Sequence, residues 1–221
     1  MATLRFSFGT MGSGKSTLAL QIHHNLTSRG RRGLLLTRFD RENSAVSSRL
    51  GVSAPAVEVT DETDVFSLLR ERADGVGLDF VVADEAQFYA AAQVDALARA
   101  VDELAVDIYA FGLLTDFRGK LFDGTRRLLE VADERAELHV EARCWCGARA
   151  THNARLVDGI QVYEGQTVLV GDVEGVADPA APERLPLADL DPSGEVTYEL
   201  LCRRHWLSGQ PHPPSSSLGS C

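Results

Sequence analysis

The stretch LRFSFGTMGSGKSTLALQIHHNLTSRG, residues 4–30, decides the fold. Residues 4–8 have the length and character of a short strand. Residues 9–16, GTMGSGKS, then fit the pattern G-x-x-x-x-G-K-[ST] in full. Leu18, Ile22 and Leu26 follow at helical spacing, and Gly30 is a natural stop. Composition alone would produce such a match on the order of 0.002 times per chain, so chance is a weak explanation. Strand, glycine-rich loop and helix in that order form a phosphate cradle. The glycines let backbone N–H groups turn inward around phosphate oxygens. The helix N-terminus adds partial positive charge. Lys15 is placed to reach the β- and γ-phosphates of a nucleoside triphosphate, and the Ser16 hydroxyl to ligate Mg²⁺. Gly9, Thr10, Met11, Gly12, Ser13, Gly14, Lys15, Ser16 and Thr17 are the candidate phosphate contacts.

Working outward, apolar runs of strand length at 33–39, 78–84 and 106–113 alternate with helical patterns at 61–73 and 92–105. That alternation predicts a P-loop NTPase-like α/β fold, a parallel sheet with helices on both faces. Ligands in such folds bind beyond the carboxyl ends of the strands. The run FVVADEAQF, 80–88, puts Asp84 and Glu85 at such an end. There an Asp can complete a Mg²⁺ site, and a Glu can take the proton of whatever attacks the γ-phosphate. A water acceptor would make an ATPase; a substrate hydroxyl would make a kinase. Phe117 and Phe122 lie in a loop after a strand, where a flat ligand with a π-face could use them, or where they could anchor the loop to the core. Arg118 and Lys120 share that loop.

The chain has 221 residues and a formal net charge of −10. Acidic charge disfavours binding to nucleic-acid polymers. No apolar run is long enough for a membrane span, and the N-terminus lacks a signal-peptide layout, so a cytoplasmic location with reduced thiols is expected. After about residue 137 the pattern changes to short strands: LHVEA, IQVYEG, TVLVGD and EVTYELL. The expected division is a nucleotide-binding domain over 1–140, a small β-rich domain over 141–207 with an insertion at 175–195, and a Pro/Ser-rich disordered tail over 208–221.

Cys144 and Cys146 lie in the β-rich region as C-x-C, and Cys202 and His205 follow as C-x-x-H. Together they make a Cys₃His set able to bind Zn²⁺ tetrahedrally, a reading favoured over free thiols. Residues i and i+2 of an extended segment face the same side, which lets the two thiolates converge.

The chain resembles the type II thymidine kinases. The resemblance runs through the P-loop with Met11 inside it, SSRLG (47–51), DEAQF (84–88), GLLTDFRGKLF (112–122), CGARAT (146–151) and YELLCRRH (198–205). It implies ATP-dependent phosphorylation of the 5′-hydroxyl of thymidine, with deoxyuridine as a possible second substrate, in nucleotide salvage. It implies Glu85 as catalytic base, Ser16 and Asp84 on Mg²⁺, and structural Zn²⁺ on the cysteine–histidine set. It puts thymidine against Met11, Gln87, Phe88, Leu113, Phe117, Phe122, Asn153, Val168, Val170, Gly171 and Tyr198. It also implies a homotetramer. Asn153 stands where the family commonly has threonine, and the loop between Asp172 and Tyr198 is longer than the family's. The alternative is a P-loop ATPase whose zinc module serves a switch or binding machine.

Overall fold

The computed structural model describes residues 1–38, 45–47, 51, 53–138, 141–167 and 194–214. All but Thr167 of the strand foreseen at TVLVGD, most of the 175–195 insertion, the end of the tail and part of SSRLG lie outside the described residues. The chain divides into two compact units. The first comprises 1–115 and 120–142; the second comprises 116–119 and 143–221.

In the first unit, β1 (Leu4–Gly9) leads through the glycine-rich loop into α1 (Lys15–Thr27). There follow β2 (Gly33–Thr37), β3 (Ala45–Ser47), β4 (Ser53–Pro55), β5 (Val57–Glu58), α2 (Val65–Gly75) and β6 (Phe80–Ala83). A 3₁₀ turn at Ala86–Phe88 precedes α3 (Ala91–Leu104), β7 (Asp107–Leu113), α4 (Asp123–Val131) and β8 (Glu134–Glu137). Six strands form one sheet in the order β5-β2-β6-β7-β1-β8. Every pairing in it is parallel. The expected parallel sheet is therefore present.

Its central strands β2 and β6 read as apolar runs because both faces are covered. Side chains alternate between faces along each strand. Leu34, Leu36, Val81 and Ala83 join one core with Leu69, Leu97 and Leu128 from α2, α3 and α4. Leu35, Phe80 and Val82 join the other with Ala19 and Leu20 from α1. On α3, Val94, Leu97, Ala100 and Val101 form the buried stripe. Complete burial of a side chain such as Leu97 contributes about 1.5–3 kcal/mol. The start of α2 is fixed by Asp64, whose carboxylate accepts from the Ser67 backbone N–H at 3.0 Å.

The second unit holds β9 (His152–Val157), β10 (Ile160–Val162), β11 (Val196–Leu201) and a short α5 (Arg203–Ser208). Its strands form an antiparallel sheet in the order β10-β9-β11. The core is small: Cys144, Ala154, Leu201 and Trp206. Trp206 stacks on His152 at 4.7 Å and donates its indole N–H to the Phe117 carbonyl at 3.1 Å. So little buried apolar surface calls for an additional constraint.

Three expectations change. The strand foreseen at LHVEA is absent from its described residues; β8 lies just before it and belongs to the parallel sheet. β8 and α4 carry too much charge to announce themselves as apolar runs. Finally, α5 ends at Ser208, the first residue of the foreseen tail, and the Trp145 indole donates to the Gln210 carbonyl at 2.9 Å.

Candidate active site

β1 ends at Gly9, β6 at Ala83 and β7 at Leu113. In register Gly9 stands beside Leu113, and Ala83 beside Ala110. The loop after β1 and the turn after β6 thus leave the same edge of the sheet on either side of β7, the usual position for a ligand crevice.

The glycine-rich loop turns into α1 through Gly14, the N-cap, at φ 76°. This left-handed conformation disfavours a side chain. Lys15 and Ser13 are buried. The Lys15 ammonium donates to the Thr10 carbonyl at 2.8 Å and reaches Ser13 Oγ at 3.4 Å. Its charge is thereby held inside the loop, where the N-terminus of α1 also favours anions.

Asp84 follows β6, with its backbone N–H bonded to the Leu36 carbonyl at 2.9 Å. Its side chain is buried and meets Ser16. Oδ1 has no hydrogen-bond partner among the described residues. Burial, then the charge of Glu85, pushes the Asp84 carboxyl up to about 7, against the opposing Ser16 hydroxyl and Lys15 charge. A buried carboxylate oxygen lacking a donor, beside a P-loop hydroxyl, fits a divalent cation with oxygen ligands.

The shift has a sign. A carboxyl whose folded pKa lies above its unfolded value loses nothing while protonated. It costs stability progressively as pH rises from about 4 to about 7. Asp84→Asn is therefore expected to raise the melting temperature by several degrees at pH 8, without nucleotide or added magnesium. The gap should close towards pH 4. Thermal melts across that range check it.

Glu85 has φ 51°, a left-handed conformation that costs a non-glycine residue about 1–3 kcal/mol. Its surroundings hold it there. Gln87, 1% exposed, donates its amide N–H to the Glu85 carboxylate and accepts the Leu113 backbone N–H on its carbonyl at 3.0 Å. The start of α4 closes on the same turn. A Cβ on Gly124 would lie 2.5–2.8 Å from the carbonyl oxygens of Ala86, Gln87 and Tyr89, so only glycine allows the approach. Thr125 Oγ1 donates to the Leu113 carbonyl at 2.6 Å. A carboxylate aimed in this way can accept a proton. Phe88 and Phe122 meet edge to face at 5.4 Å, leaving ring surface suited to a flat ligand.

The thymidine kinase family model matches residues 2–176. The chain belongs to the thymidine kinase family. It is 52% identical over 207 residues to the thymidine kinase of Streptomyces coelicolor, covering 93% of this chain and 88% of that one. It is 46% identical over 211 residues to that of Cutibacterium acnes, covering 95% and 90%. Against that of Enterobacteria phage T4 it is 37% identical over 210 residues, covering 93% and 96%. Among solved structures, the Legionella pneumophila ATPase DotB aligns over 59% of this chain and 34% of its own, at 22% identity and a TM-score of 0.35. That likeness is too loose to bear on function.

In the second unit this family member brings Cys144, Cys146, Cys202 and His205 together, their ligand atoms all within 4.8 Å of one another. His205 Nδ1 lies 3.3 Å from Cys144 Sγ and 3.5 Å from Cys202 Sγ. Cys146 and Cys202 sulfurs are 4.0 Å apart. Tetrahedral zinc with Zn–S near 2.3 Å and Zn–N near 2.0 Å needs edges of about 3.8 Å and 3.5 Å, so the residues fit the ion. The extended geometry expected for C-x-C is not what joins the pair. Residues 143–149 form a tight hairpin, with Arg143 bridged to Arg149 and the Gly147 N–H bonded to the Cys144 carbonyl at 2.8 Å. The turn itself converges the thiols. Trp145 stacks on His205 at 4.1 Å and holds its ring.

The remaining foreseen contacts divide between the units. Met11, Gln87, Phe88, Leu113 and Phe122 belong to the first. Phe117, Asn153 and Tyr198 belong to the second; Phe117 and Asn153 are buried there. Val168, Val170 and Gly171 lie outside the described residues. Sequence reasoning missed Arg38, Tyr89 and Arg155. Arg38 is buried at the end of β2 and pairs with Asp61 and with Gln93 Oε1. Tyr89 is buried, and burial, then the Asp84 charge, pushes its phenol well above the usual range. An arginine placed just past or within an apolar strand was the available signal for Arg38 and Arg155.

Proposed function

We propose that this chain is a thymidine kinase that transfers the γ-phosphoryl group of ATP to the 5′-hydroxyl of thymidine, giving thymidine 5′-monophosphate and ADP. The observation that carries this reading is the complete P-loop beside a strained, oriented Glu85 in a chain 52% identical to a thymidine kinase. Glu85 takes the proton of the 5′-hydroxyl as its oxygen attacks the γ-phosphorus. The bond to the bridging oxygen breaks, and ADP leaves. The loop N–H groups, Lys15 and the α1 N-terminus offset the phosphate charge as it shifts towards ADP. Ser16 and Asp84 would hold Mg²⁺, which when bound would neutralise phosphate charge.

In the first unit, Phe88 and Phe122 supply aromatic surface for the thymine ring, with Met11 and Leu113 as apolar neighbours. Both ends of the Gln87 amide are engaged, so Gln87 acts through Glu85. In the second unit, Phe117, Asn153 and Tyr198 are assigned to the nucleoside on the family resemblance, as are Val168, Val170 and Gly171. Cys144, Cys146, Cys202 and His205 would hold structural Zn²⁺. The nucleotide-binding and lid domains, the homotetramer and a cytoplasmic location belong to the same reading. No helix among the described residues is long and apolar enough to cross a membrane.

The test is ADP formation with and without thymidine. The reaction proposed requires ADP release that depends on thymidine. An ATPase switch would release ADP at the same rate without it.

A further inference from the structure

Arg155, on β9, is among the largest fully buried side chains of the protein, 2% exposed. Burying a guanidinium is costly, and an apolar side chain of similar volume would fill the space without that cost. What the guanidinium adds is direction. Nε donates to Tyr198 Oη at 2.7 Å, across the β9–β11 pairing in which Arg155 and Tyr198 are partners. Nη1 donates to the Gln166 carbonyl at 2.5 Å and Nη2 to the Thr167 carbonyl at 3.1 Å. The charged carbon sits 3.8 Å over the centre of the Phe117 ring. A second arginine strengthens the same point: Arg118 donates to Thr167 Oγ1 at 2.8 Å and is itself paired with buried Asp116.

One planar group thus ties together three separate pieces of chain: the loop containing Phe117, the strand containing Tyr198, and the residues leading into Val168. None of these contacts touches the zinc-ligand set. We propose that Arg155 is a positioning residue for the nucleoside, holding Phe117, Tyr198 and the approach to Val168 in the arrangement that receives thymine. This inference rests on the thymidine kinase reading. It concerns thymidine rather than ATP, because Phe117, Gln166, Thr167 and Tyr198 all lie outside the phosphate loop. A lysine keeps the charge over the ring but, as a point donor, cannot serve three fixed acceptors at once.

The experiment is steady-state kinetics of Arg155→Lys and Arg155→Met against the unaltered protein, with zinc content measured on each. The expected result is thymidine KM raised about tenfold or more in Arg155→Met and by a smaller factor in Arg155→Lys. ATP KM should stay within about twofold, with zinc retained. The lysine variant keeps the test open if the methionine variant loses its metal. Thymidine KM unchanged in a zinc-replete variant overturns the proposal and leaves the function standing. Absence of thymidine-dependent turnover in the unaltered protein overturns both.

Discussion

Glu85→Gln is expected to lower thymidine-dependent ADP formation by about 10²–10⁴-fold, the range of a positioned general base, with ATP affinity within about twofold of the original. Glutamine has the shape of glutamate but cannot accept the proton of the 5′-hydroxyl. The turn that carries it does not depend on the carboxylate alone. Glycine at 124, the 3₁₀ bond from the Phe88 N–H to the Glu85 carbonyl at 3.1 Å, and the Gln87 contact to Leu113 all remain. The phosphate loop contributes none of its contacts through Glu85. Single-turnover kinetics with ATP-binding calorimetry separates the two effects. Near-normal turnover would remove Glu85 from its assigned role.

The largest effect on stability is expected at the cysteine–histidine set. Structural zinc contributes about 10–16 kcal/mol in small zinc domains, far more than the apolar core of the second unit can offer. Cys144 belongs to that core as well as to the ligand set. Serine at Cys144 or at Cys146 removes a thiolate ligand and should reduce bound zinc from one ion per chain to a small fraction. The second unit should then exchange its amide hydrogens rapidly, while the sheet of the first unit stays protected and ATP still binds. Metal analysis and hydrogen exchange read these outcomes. Full zinc in both variants would exclude the set as the binding site.

The nucleotide-binding unit was readable because its physics is local. A strand, a glycine-rich loop and a helix are contiguous between residues 4 and 30. The strands that follow are apolar on both faces because helices cover both. What escaped reading depends on contacts distant in sequence. β8, with the sequence ERAE, is exposed along its length and joins β1 through backbone pairing and an exposed Arg5–Glu134 ion pair. Such charges are what an edge strand requires, and they give no apolar signal. β9 was missed because Asn153 and Arg155 interrupt its apolar pattern, although both are buried. Their burial depends on partners such as Tyr198, forty-three residues away for Arg155. Phe117 and Phe122 looked equivalent in sequence, yet they fall in different units. The C-x-C pair pointed to a cysteine–histidine set that could hold a metal ion, but the hairpin that converges it rests on backbone bonds of Cys144 with Gly147 and Ala148, which the spacing of the cysteines does not announce.

The most direct test of the whole account is transfer of label from γ-labelled ATP to a panel of nucleosides. Thymidine should become labelled at its 5′-oxygen in step with ADP release, with deoxyuridine slower and purine nucleosides unlabelled. Label released only as inorganic phosphate, at a rate indifferent to every nucleoside, would contradict it.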